Sequence, residues 1–96
     1  LTADQRLLLI ALCERTLRAP AQGLQVPSSA EAAQRLGWEL TRFNRKLDNV
    51  CAVLERHGVR GLHGAVGKLA SGRRTRLIEY VMSTGLLTVS DLALLP

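Results

Sequence analysis

The chain has 96 residues, of which 47% are hydrophobic but only 3% aromatic, and it carries 13 basic against 8 acidic side chains, a formal net charge of +5. This length bounds a single domain with one core, and a core so poor in rings must be filled by leucine and alanine, which favours packed helices over a sandwich. No run approaches the ~20 apolar residues of a membrane span, and the opening LTADQRLLLIALCERTL, with acids and arginines inside it and no small-residue cleavage site, does not read as a signal peptide.

In chain order, Thr2 followed by Gln5 is a capping-box pair, with Asp4 in the first turn where the helix dipole favours an anion. Leu8, Leu9, Leu12 and Cys13 recur at helical spacing and predict a helix to about Arg18. APAQGLQVP, with two prolines and a glycine, cannot continue it and reads as a loop. Ser28 and Glu31 form a second capping box and open a short helix over about 29–36, whose small apolar residues Ala32 and Ala33 permit close approach to a neighbour. Gly37 is its stop.

A third helix is expected from about Leu40 to His57, with Gly58 after it. Phe43, Leu47, Val50 and Leu54 share one face. At 100° per residue the opposite face collects Thr41, Arg42, Arg45, Asp48, Asn49, Ala52 and Arg56, with Asn44 and Lys46 on the flanks. GVRGLHGAVGKLASG follows. Its glycines at 58, 61, 64 and 67 match neither a collagen array nor a phosphate loop, since Gly61 and Gly67 enclose five residues and Lys68 precedes Leu69. The stretch reads as a connection with a short glycine-rich wing around Val59–Leu62. A fourth helix is expected from about Arg73 to Ser83 with Leu77, Ile78, Val81 and Met82 as its apolar stripe and Gly85 as its stop, and Ser90 is placed to cap a last short turn.

The charge is unevenly placed. Residues 1–38 hold four basic and three acidic side chains, residues 39–76 nine and three, and residues 77–96 none and two. The excess therefore lies in the middle, where a polyanionic partner would be met; the plainer reading is an arginine-rich solvated surface. Cys13 and Cys51 read as small buried hydrophobes, and with His57 and His63 they lack the close ligand pairs of a structural zinc site. No metal or cofactor is expected, and reduced thiols suit a cytoplasmic protein. No acid pair or nucleophile with its base converges, so an enzyme is not expected. Trp38 reads as a core or turn anchor, since one aromatic cannot form a stacking platform.

Two short helices joined through Leu36-Gly37-Trp38-Glu39, the second with an exposed polar face, form the pattern of a helix-turn-helix. A major groove admits one such helix: arginine and lysine engage guanine or phosphate, asparagine pairs with adenine, and threonine reaches a phosphate oxygen. The stretches LTADQRLLLIALCE, SSAEAAQRLGWELTRFNRKLDNV and RLIEYVMSTGLL resemble, in order, the scaffold helix, positioning and recognition helices, and fourth helix of the LuxR/GerE-type DNA-binding domain. They look closest to the variant ending some actinobacterial regulators that carry a forkhead-associated domain. SSAEAA stands where the family usually has Asn-Lys-Glu-Ile-Ala, and the preceding loop and the recognition helix are longer. The resemblance implies an all-helical domain of four to five helices over residues 1–96 of a bacterial transcription regulator, and a start without methionine leads us to expect a domain cut from a longer protein. The resemblance also implies a recognition helix over about 40–57 in the major groove of double-stranded DNA.

The DNA-binding set expected from these arguments is Thr41, Arg42, Asn44, Arg45, Lys46 and Asn49, with Arg60, Arg73 and Arg74 on the backbone. Arg73, Arg74 and Arg76 precede a helix whose dipole would attract anions, which suits a phosphate-facing role. In this family the fourth helix often makes a homodimer contact, which Leu86, Leu87, Leu92, Leu94 and Leu95 are placed to extend. The competing reading is a protein-interaction or oligomerisation module that uses the same fold for docking. DNA binding needs Arg42, Arg45 and the 60–76 cations on one face; the module needs an exposed leucine patch.

Overall fold

The computed structural model describes residues 1–62 and 70–96. Among them the protein is all-helical, with four α-helices, two 3-10 segments and no strand.

Helix α1 spans Ala3–Arg18. Its capping box is closed in both directions: the Gln5 N–H donates to the Thr2 hydroxyl at 3.1 Å, and the Thr2 N–H donates to Gln5 Oε1 at 2.9 Å. Every residue from Leu8 to Cys13 is buried, Ile10 and Ala11 included. The one-sided stripe expected from the sequence is thus too narrow. The run LLLIALC is apolar all round, and a helix of that kind belongs in the centre of the fold rather than on its surface. The remaining helices pack around it.

A 3-10 turn, Pro20–Gln22, follows α1. The buried Thr16 hydroxyl then fixes the chain's return, accepting the Gln25 N–H at 2.9 Å and donating to the Gln25 carbonyl at 3.3 Å. Both its hydrogen-bonding roles are filled, so its burial leaves no polar group unsatisfied. Helix α2, Ser29–Leu36, begins at the expected Ser28–Glu31 capping box. It ends at Gly37, whose φ of 73° lets the Trp38 N–H reach back to the Ala33 carbonyl at 2.9 Å. Glu39 then caps helix α3, Leu40–Arg56, without a side-chain hydrogen bond. The short link between the two helices makes the junction tight. Phe43, Leu47, Val50, Cys51 and Leu54 are buried, and the polar face opposite is exposed, as the periodicity predicts.

After α3 the structure departs from the expected wing. Residues 59–62 form no strand; Val59 and Leu62 are buried in the core. Two apolar residues this close together are worth more inside than on an open hairpin, about 1.5 kcal/mol or more each. The remainder of the glycine-rich stretch, 63–69, lies outside the described residues. Helix α4, Ala70–Thr84, starts three residues before Arg73. Gly72, a poor helix former, sits in its first turn and conceals the start from sequence periodicity. Leu77, Ile78 and Val81 are buried against α1, while Met82 is only partly covered. The last segment is a 3-10 helix, Val89–Leu94, docked on α1 through buried Leu92 and an Arg6–Asp91 ion pair of 3.5 Å. Its cap is Thr88 rather than Ser90: the Asp91 carboxylate reaches back to accept the Thr88 N–H at 2.8 Å. No helix among the described residues is long and apolar enough to cross a membrane.

Candidate nucleic-acid interface

The outward face of α3 begins directly after the α2–α3 junction. Thr41, Arg45, Asn49, Ala52 and Arg56 are all exposed and fall within about 80° of one another around the helix, opposite the buried Phe43–Leu47–Val50–Leu54 stripe. Arg45 and Arg56 have no hydrogen bond or ion pair with any described residue, so their guanidinium groups face solvent. They stand three turns apart, about 16 Å along the axis.

The edges of this face are occupied differently. On one edge, Asp4 from the first turn of α1 meets both Arg42 and Lys46: its Oδ2 lies 3.1 Å from Arg42 Nη2 and 3.6 Å from Lys46 Nζ. The Arg42 guanidinium also lies over the Trp38 ring, 4.3 Å from its centroid. Trp38 is half-buried against the core, so it anchors the turn, as expected, and in addition gives Arg42 a platform. On the other edge, Asp48 holds Arg73 of α4 at 2.7 Å. Asn44 is exposed on the same flank.

Of the arginines in 60–76 expected to clamp a DNA backbone, Arg73, Arg74 and Arg76 have partners within the fold. Arg74 points inward: its Nε donates to the Pro27 carbonyl at 2.9 Å and its Nη1 to the Ser29 hydroxyl at 3.2 Å. Burial pulls its pKa below the ordinary arginine value, and neighbouring Arg73 adds to the shift. Arg76 donates from Nε to the Arg60 carbonyl at 2.7 Å. Its stem packs so closely on Gly61 that a Cβ there would come within 3.3 Å of Arg76 Cδ and Cγ. These residues lie inside α4 rather than ahead of it, which turns them along the helix flank toward α2 and the 59–62 segment. Only the Arg60 side chain, exposed and without a partner among the described residues, keeps the expected outward role.

Thus Thr41, Asn44, Arg45 and Asn49 are displayed, Arg42 is exposed but paired, Lys46 and Arg73 are half-buried and paired, and Arg74 is structural. Arg56, absent from the expected set, is exposed on the same outward face; its position was legible as the i+11 continuation of Arg45. Asp4 had no local signal, because it lies 38 positions from Arg42.

Several other charges are paired within the fold. Burial would raise the Glu14 pKa, but hydrogen bonds from Arg35 and Arg18 outweigh it and hold the carboxyl below its ordinary value. The Ser28 N–H and Arg15 pull Glu31 down to about 2. Burial pushes the Cys13 thiol up to about 12, so it stays protonated at neutral pH. The C-terminal leucines do not form a patch: Leu87 and Leu92 are buried, Leu86 and Leu95 are partly covered, and Leu94 alone of the five is exposed. Compared with known proteins, the chain matches no family model, no curated protein and no solved structure.

Proposed function

We propose that this domain binds double-stranded DNA with α3 in the major groove, as part of a bacterial transcription regulator of the LuxR/GerE kind that its sequence resembles. The observation that carries the reading is the outward face of α3. Directly after a tight helix–helix turn, it presents Thr41, Arg45, Asn49 and Arg56 around the small Ala52, with neither arginine paired among the described residues. The donors suit base edges and phosphate oxygens, and Ala52 allows the helix axis to approach the groove floor. The protein-interaction alternative needs an exposed leucine patch, and four of the five C-terminal leucines are buried or partly covered. A homodimer through α4 would have to use the flank of Tyr80 and Met82, because Leu77, Ile78 and Val81 are engaged within the monomer.

Fluorescence anisotropy of the domain titrated onto pooled random duplexes, at several salt concentrations, tests the proposal. Binding that falls steeply with salt and weakens in Arg45→Ala/Arg56→Ala supports it. A folded domain that binds no duplex even at low salt refutes it.

A further inference from the structure

Arg42 and Lys46 stand one helical turn apart on α3, and both reach the same oxygen, Asp4 Oδ2, at 3.1 and 3.6 Å. Two cations converging on one oxygen is an arrangement that suits an oxyanion of any origin. The Trp38 ring, its centroid 4.3 Å from the guanidinium carbon, adds a second constraint: the cation–π contact holds the Arg42 head group beside the turn. The cluster reaches solvent, with the Arg42, Asp4 and Lys46 side chains 44%, 38% and 28% exposed, so a competing anion can reach it without unfolding anything. It also borders the outward stripe of α3, at the edge where a duplex backbone would run beside a helix lying in the groove.

We propose that Arg42 and Lys46 form a phosphodiester-binding site that Asp4 occupies in the free chain, so that DNA binding exchanges the carboxylate for a backbone phosphate. This rests on the DNA-binding reading above and adds its regulation. The exchange is possible because Asp4 meets both cations through Oδ2 alone, whereas a phosphodiester can give each cation its own non-bridging oxygen. It is also readily reversible, because an exposed ion pair is weak in water. Asp4 thereby lowers affinity for DNA of every sequence, and Arg45 and Arg56, which have no such competitor among the described residues, carry the first encounter.

The test is a cycle of variants titrated onto a labelled duplex at several salt concentrations, with folding checked by circular dichroism. The set is the parent chain, Asp4→Asn, Arg42→Ala/Lys46→Ala and the triple variant. Asp4→Asn is expected to bind about two- to five-fold tighter at low salt, with the gain shrinking as salt screens the pair. In the Arg42→Ala/Lys46→Ala background the same substitution is expected to have no effect. Should Asp4→Asn disturb α1, Asp4→Ser, which also suits the first helical turn, repeats the measurement. An equal gain in both backgrounds would mean only that an acid was removed near DNA, and overturns the exchange. Weaker binding by Asp4→Asn also overturns it, because Asp4 would then be positioning Arg42 for the complex. Binding that depends on Arg45 but ignores Asp4 sinks the exchange alone, whereas a parent chain that binds no duplex at low salt sinks the DNA reading with it.

Discussion

The outward face of α3 and the first turns of α4 use the same residue for opposite purposes. On α3, Arg45 and Arg56 extend into solvent without partners among the described residues. On α4, Arg73 reaches Asp48 of α3, Arg74 reaches the entrance of α2, and Arg76 reaches the Arg60 carbonyl. Each of the three ties α4 to a different segment. The difference lies in what stands opposite: α3 turns its stripe away from the fold, whereas the start of α4 lies among carbonyls, a hydroxyl and a carboxylate that need donors. An arginine count therefore overstates the surface available to a polyanion, and a guanidinium is as suited to stapling backbone carbonyls as to meeting phosphate.

Exchanging the two roles experimentally is the sharpest way to break this comparison. The largest effect is expected at Arg74. Arg74→Ala removes two charge-assisted hydrogen bonds from a partly buried carbonyl and hydroxyl, and should cost about 2 kcal/mol in urea unfolding. The salt dependence of DNA binding by the folded fraction should not change; a shallower salt dependence would make Arg74 a phosphate contact after all. Arg45→Ala is expected to do the reverse. Binding should weaken about tenfold and the log–log salt slope should fall by about 0.9, while the melting temperature stays close to that of the parent.

Smaller effects refine the picture. In the Arg73–Asp48 pair the Asp48 side chain is 65% exposed and Arg73 23%, so Asp48→Ala should change stability by no more than about 1 kcal/mol. The same substitution frees Arg73 beside the α3 face, and a modest tightening on DNA that vanishes in Asp48→Ala/Arg73→Ala would show that pairing, not distance, keeps Arg73 from the duplex. The smallest effect concerns acid. The Glu31 pKa is lowered from 4.5 to about 2 by the Ser28 N–H and Arg15. A depressed carboxylate stabilises the fold above its unfolded value and loses that contribution as pH falls from about 4.5 through about 2. Thermal melts across that window should show a shallower acid limb in Glu31→Gln than in the parent. Indistinguishable limbs would mean that the α1–α2 junction does not depend on this carboxylate.

Much of this protein is legible along the chain because local chemistry decides it. Thr2–Gln5 and Ser28–Glu31 announce helix starts since both partners of each cap lie three residues apart, and Gly37 announces a stop since a left-handed residue is needed there. The inner and outer faces of α3 follow from 3.6-residue periodicity, which by itself puts Thr41, Arg45 and Asn49 on the outward side. The early start of α4 is hidden by Gly72, and the burial of Val59 and Leu62 is hidden by the surrounding glycines.

Tertiary structure alone decided which charges are free. Asp4 and Arg42, or Pro27 and Arg74, are distant in sequence and meet only because α1 runs through the centre with α3 and α4 packed around it. Periodicity assigns a side chain to a face; it carries no information about which carboxylate or carbonyl the fold brings to that face. The sequence by itself determined the helices, their caps and the polar stripe of α3, because these depend on neighbours within a few residues. The division of the arginines between paired and free came from packing, because an ion pair forms where the backbone brings two groups within reach.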